Sequence, residues 1–166
     1  VVTLGSYSKT LRECVLRLKA PGHEALAAAM GRLLAERARA SQFYPRPDAV
    51  VAVPMHWARR FVRRANNAEL IAVALAAALQ IPCWHRALRR IRNTRKQGPM
   101  LRTQRLRNVR GAFRLQPEFD VYGKHLLVVD DVLTTGATCN EIAKMLKRSG
   151  AASVAVAVLS RADTIH

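Results

Sequence analysis

Residues 125–131 read HLLVVDD, an apolar run that ends in two adjacent carboxylates. A strand with no water-facing side belongs in a parallel sheet covered on both faces. AVVAVP at 49–54 and SVAVAVLS at 153–160 have the same character. Helical patterns lie between and before them. TLRECVLRLKAPG puts Leu11, Val15 and Leu18 on one stripe and stops at Pro21-Gly22. HEALAAAMGRLLAERARA repeats the pattern with Leu26, Met30, Leu33 and Leu34. Gly31, inside that helix, is expected to cost about 1 kcal/mol relative to alanine. NNAELIAVALAAALQ has an apolar face wide enough for deep burial, and Asn66 or Asn67 can cap it. ATCNEIAKMLKRSG turns Ile142, Met145 and Leu146 inward and stops at Gly150. Strands alternating with helices predict an α/β domain, a twisted, mostly parallel sheet with helices on both faces.

A chain of 166 residues is long enough for one core, burying roughly 70% of its unfolded surface. No second core or internal repeat is visible, so residues 1–166 read as a single domain. Within it, 1–45 are expected to form a helical N-terminal or hood segment and 46–166 the core. The longest apolar stretch, LIAVALAAAL at 70–79, is about half of the ~20 residues of a membrane span. With no signal-peptide pattern in residues 1–20, a cytoplasmic protein is expected. Cys14, Cys83 and Cys139 lie far apart without a Cys-x-x-Cys pair, which argues against a zinc site or a disulfide framework. The histidines also lack metal-ligand spacing.

The formal net charge is +17, a balance that suits polyanionic partners. A bias towards arginine and alanine would raise the total without any partner, so position matters more. Between Glu69 and Glu118 there is no acidic residue, and Arg86 through Arg114 is dense in arginine. A solvated surface intersperses both signs, so this block reads as anion-facing. Residues 86–110 form no tidy amphipathic element and are broken at Gly98-Pro99, which predicts a long basic loop, followed by GAFRL as a short strand.

The two carboxylates of the opening run meet a small, hydroxyl-rich turn, Thr134-Thr135-Gly136-Ala137-Thr138, before the next helix. A helix N-terminus supplies unpaired N–H groups and a positive dipole end, the glycine lets the backbone curl, and the threonines add hydroxyl donors. Such a turn can cradle a phosphate monoester. The carboxylates upstream suit vicinal hydroxyls, so the two parts together fit a sugar phosphate.

This strand, Asp130-Asp131 and the Thr134–Thr138 turn resemble the signature of type I phosphoribosyltransferases. Further segments are similar to the ComF-like branch of that family: YSKTLRECVLRLKAPG with Lys19, VAVPMHWARRFVRRANNAE, and ALRRIRNTRKQGPMLRTQRLRNVRGAF. The resemblance covers nearly the whole chain and implies the type I phosphoribosyltransferase fold. It implies that Asp130 and Asp131 hold the ribose hydroxyls of 5-phosphoribosyl-1-pyrophosphate. Thr134, Thr135, Gly136, Ala137 and Thr138 would hold its 5′-phosphate. Met55, His56 and Arg64 are candidates for a pyrophosphate loop. Arg90, Arg95, Lys96, Arg102 and Arg105 are candidates for a loop closing over the leaving group. Mg²⁺ is the implied cofactor, carried by the substrate rather than by a protein cage. Two departures stand out. The branch opens with a four-cysteine zinc module, and this sequence begins after the point where that module would end. Where the branch tends to read Arg-Gly-Phe-Asn-Gln, this chain has Arg63-Arg64-Ala65-Asn66-Asn67. The expected activity is pentosyl transfer to an acceptor that no segment identifies. The alternative is single-stranded nucleic-acid binding through Arg86–Arg114 in transformation, with the sugar-phosphate site as a sensor or vestige.

Overall fold

The computed structural model describes residues 1–18, 20–41, 45–55, 66–92 and 102–162, with the Arg102 side chain excepted. Its centre is a parallel sheet of β1 (Val2–Ser6), β2 (Ala49–Ala52), β5 (His125–Leu133) and β6 (Ser153–Arg161), in the order β1-β6-β5-β2. Beyond β2, Val50 and Cys83 form a parallel bridge. It is held by the Val50 N–H to Pro82 O at 2.9 Å and the Trp84 N–H to Val50 O at 2.8 Å. A separate antiparallel ribbon joins β3 (Leu88–Arg90) to β4 (Phe113–Leu115).

Both faces of the sheet are covered, as the unbroken apolar runs require. Helices α1 (Lys9–Leu18), α2 (Glu24–Ala40) and α3 (Asn67–Leu79) cover one face, where Leu34, Ile71 and Leu75 are buried with Val50, Leu127 and Leu159. Helix α5 (Ala137–Arg148) covers the other, where Ile142 and Leu146 meet Val51, Leu126, Val128 and Val158. The same cluster takes in Leu88 and Phe113 of the ribbon and Val109 of α4 (Arg102–Val109). Met145 packs partly buried against it. Side chains of one strand alternate between the two clusters, which is why every position must be apolar.

Three local expectations are corrected. The segment 1–45, expected to be helical, opens with β1, whose pairing partner β6 lies more than 150 residues away, Val2 opposite Ala157. The stretch 86–110, expected to be a loop, contains β3 and α4. Asn66 occupies the N-cap position of α3 without a side-chain cap; its Nδ2 donates instead to Val53 O at 3.2 Å. Gly31 also acquires a reason. A Cβ there would stand 2.7 Å from Ala74 Cβ and 2.7 Å from Ile71 O, so α2 and α3 cross nearly backbone to backbone. The propensity lost at Gly31 is exchanged for that close approach.

Candidate functional site

Neighbouring strands β2 and β5 send the chain to opposite faces, β2 towards α3 and β5 towards α5. Connections that part in this way leave a crevice at the carboxyl ends of the strands, where ligands of α/β sheets bind. A cavity of about 420 Å³ opens there. Asp130, Asp131, Thr134, Gly136, Ala137 and Thr138 line it from the β5–α5 side, and Met55 and Arg90 from the other elements.

The local chemistry follows from the chain's path. The β5 ladder continues past the carboxylates to Val132, opposite Ser160, and Leu133, opposite Arg161. The Asp131 N–H donates to Asp130 Oδ1 at 2.9 Å, and the Val132 N–H to Asp131 Oδ1 at 2.8 Å. Each carboxylate thus accepts from the next residue's backbone. Burial, and then the charge of Asp131, holds the Asp130 carboxyl well above its ordinary 3.8, while the Arg90 guanidinium pulls the other way. Two acids crowded at one strand end repel each other, and hydroxyl donors or a cation would relieve that repulsion.

After β5 the backbone turns at Gly136, whose φ of +71° lies in the left-handed region that glycine adopts without strain. That turn is the N-cap of α5. The first intrahelical bond runs from the Asn140 N–H to Gly136 O at 2.8 Å, so the amides before it have no intrahelical acceptor. The Thr135 Oγ1 is buried without a hydrogen-bond partner among the described residues. Buried hydroxyls are nearly always bonded, so this one suits an incoming acceptor such as a phosphate oxygen. Cys139, in the first turn of α5, also lines the cavity. Its thiol is pushed far above the ordinary 9.0 by burial and by the Asp130 and Asp131 charges, which keeps it unreactive.

The expected residues separate into three groups. The carboxylates and the turn come together on one cavity, although Thr135 sits behind its lining with a buried hydroxyl. Met55 and Arg90 join them. Arg90, expected on a closing loop, is instead the end of β3, with its Cζ 5.5 Å from the centroid of the Phe113 ring. That cation–π contact fixes the head group beside the carboxylates. Arg105 stands on α4 and does not line the cavity. His56, Arg64, Arg95 and Lys96 lie outside the described residues, as does the Arg102 side chain.

Sequence reasoning missed Tyr7, Asn66, Asn67 and Ala162, all of which line the cavity. Tyr7 follows β1 and donates its N–H to Arg161 O at 2.7 Å. Its position at a strand's carboxyl end would have been the signal, had β1 been recognised. Among the described residues no group of three or more His, Cys, Asp or Glu side chains could enclose a metal ion. Two carboxylates beside a helix N-terminus still fit Mg²⁺, which keeps its waters and uses one or two carboxylates plus substrate phosphates.

Residues 22–164 match the phosphoribosyl transferase domain family. The chain belongs to it. Within that family it is a ComF-like member with the type I phosphoribosyltransferase fold. It is 40% identical to DNA utilization protein YhgH of Salmonella typhi over 165 residues, 97% of this chain and 71% of the relative. It is 38% identical to the Escherichia coli K12 protein of the same name, with the same coverage. Competence protein F of Haemophilus influenzae is 30% identical over 166 residues, 98% of this chain and 72% of the relative. Among solved structures, the glutamine phosphoribosylpyrophosphate amidotransferase from B. subtilis superposes with a TM-score of 0.50 at 26% identity. That match covers 78% of this chain and 25% of the amidotransferase.

Proposed function

We propose that this ComF-like domain binds 5-phosphoribosyl-1-pyrophosphate with Mg²⁺ and transfers the phosphoribosyl group to an acceptor. The observation that carries the reading is the convergence of Asp130, Asp131 and the Gly136 turn on one cavity at the carboxyl ends of β2 and β5. The ribose hydroxyls donate to the two carboxylates. The 5′-phosphate lies against the N-terminus of α5, with Thr134, Thr135 and Thr138 as hydroxyl donors. Met55, His56 and Arg64 belong to the pyrophosphate side, together with Arg90 and with Arg95, Lys96 and Arg102 of the closing segment. Asp130 and Asp131 are the carboxylates that would be available to Mg²⁺, which would supply neutralisation of the pyrophosphate charge.

In transfer, a nucleophilic atom of the acceptor bonds to the anomeric carbon as the bond to the pyrophosphate oxygen breaks. Pyrophosphate leaves with the electron pair. Positive charge develops on the ribose, and carboxylates already fixed beside it stabilise that charge without reorganising. Residues 1–166 act as one domain, and the protein works in the cytoplasm.

Calorimetric titration of 5-phosphoribosyl-1-pyrophosphate with Mg²⁺, against ribose 5-phosphate, tests the reading. The pyrophosphate compound should bind at least tenfold more tightly. Equal affinities would remove the pyrophosphate half of the site, and no binding of either would reject the proposal.

A second reading has its own support. Relatives named for DNA utilization and competence match nearly the whole chain, and the stretch between Glu69 and Glu118 contains no acid. Binding of single-stranded nucleic acid is therefore the companion activity, and its salt dependence is the measurement that counts the phosphate contacts.

A further inference from the structure

A second cavity, of about 440 Å³, lies between α4 and α5. Arg107 and Arg110 line it from one wall, and Lys144 and Arg148 from the other. All four are exposed. On α5, Lys144 and Arg148 stand four residues apart, a spacing at which like charges on a helix repel each other. The carboxylate in the groove, Glu141, uses its Oε1 to accept the Gly111 N–H at 2.8 Å, which ties the end of α4 to α5. Leu106 lies among the cations and is 39% exposed. Ala137 lines both this groove and the sugar-phosphate cavity.

We propose that the α4–α5 groove is a binding site for the phosphate backbone of single-stranded nucleic acid, separate from the sugar-phosphate cavity. Two walls of cations facing one groove match a chain of phosphates that enters between them, each phosphate meeting a guanidinium or ammonium. The exposed leucine between them offers an apolar seat to an unstacked base face, which a duplex keeps hidden. Lys144 and Arg148 lie outside the arginine-dense block of the sequence. The groove is thus assembled by the fold, with half of its charge from α5. Through Ala137 it reaches the wall of the first cavity, so an occupied groove leads towards the Thr134–Thr138 turn. The proposal rests on the nucleic-acid reading of the chain and not on phosphoribosyl transfer.

The test measures anisotropy of a fluorescein-labelled oligothymidylate over a NaCl series, using the 166-residue chain and two double variants. Lys144→Gln with Arg148→Gln removes two charges from the groove. Arg12→Gln with Arg32→Gln removes two exposed charges from α1 and α2, on the opposite face of the sheet. The first variant should lower the slope of log K against log[NaCl] by about 1.4, at about 0.7 per phosphate contact, and weaken binding about tenfold or more. The second should leave the slope unchanged. Arg107→Gln alone, from the other wall, should lower it by about 0.7. Equal losses from both double variants would overturn the groove in favour of diffuse charge, as would no loss from either. A mixed-sequence duplex that competes as well as the single strand would overturn the single-strand assignment. Failure of the parent chain to bind any oligonucleotide would overturn the nucleic-acid reading itself. Sugar-phosphate calorimetry on the groove variant should be unchanged, which keeps the two sites' fates apart.

Discussion

The two faces of the sheet spend the same residue types on different tasks. On the α1–α3 face, arginines finish helices. Arg39 Nη2 donates to Ala78 O, and Arg46 Nη2 to Leu79 O at 2.8 Å. Helix α3 has no basic residue in its own last turn, so these two supply from other segments the charge that its carboxyl end favours. On the α4–α5 face, Arg92 does the same for α4, donating to Asn108 O at 3.1 Å and Arg110 O at 2.7 Å. Arg90 there turns to the carboxylates, and four further cations face a groove. A net charge of +17 is therefore several populations of cations, some of them already engaged at helix ends.

The difference extends to glycine. Gly31 is there for want of space, Gly136 for want of a left-handed residue. Gly31→Leu should be the most damaging change on the first face. Its side chain meets the α3 backbone, and we expect about 3 kcal/mol or more of lost stability in urea unfolding, with the sugar-phosphate site unaltered in the molecules still folded. A loss below about 1 kcal/mol would mean that the two helices are free to slide apart.

Asp131→Asn should act oppositely, leaving urea unfolding nearly unchanged while weakening sugar-phosphate binding by about 1.5–3 kcal/mol, the range for a charge-assisted hydrogen bond. Oligonucleotide affinity should stay as it was; loss of both together would merge the two sites.

Asp130→Asn sharpens the contrast further because it links stability to pH. Its carboxyl titrates higher in the folded chain than in the unfolded chain. The folded state therefore holds the proton more tightly, and stability falls as pH rises from the ordinary 3.8 through the raised folded value. The variant lacks this loss. Without ligand, its melting temperature at neutral pH should exceed the parent's by a few degrees, on the order of 1 kcal/mol. The gap should close below the unfolded carboxylate range. A parent whose melting temperature rises with pH across that window would reverse the assignment.

Gly136→Ala should cost about 1–2 kcal/mol for a side chain held at positive φ, felt in both stability and phosphate affinity. The smallest effect expected is that of Arg39→Ala, about 0.5 kcal/mol in stability with no change in either ligand.

The β5–α5 unit was legible because strand, carboxylates, turn and helix are contiguous, and each states its chemistry locally. Much of the rest of the cavity was not. Helix α4, RTQRLRNV, carries no apolar stripe; Leu106 is exposed, and Val109 alone among its apolar side chains is buried. Its order comes from Arg92, Glu141 and the core beneath Val109, all supplied from outside the helix. Tyr7 was hidden for a related reason, since β1 is five residues long and contains Gly5. Asn66 or Asn67 was read as a cap because residue type gives a preference, whereas the acceptor that takes the Asn66 side chain, Val53 O, is brought by the fold.

The pairing of β1 with β6 has a consequence in time. Strand β6 lies between β1 and β5, so it is the zip that joins the first strand to the centre of the sheet. During synthesis Val2 has no partner until Ala157 has left the ribosome, and α1 and α2 wait over a sheet whose middle is missing. Contacts that distant close slowly. The sheet is completed only once β6 has emerged, and until then the apolar edges of β1 and β5 are open to whatever else can pair with them.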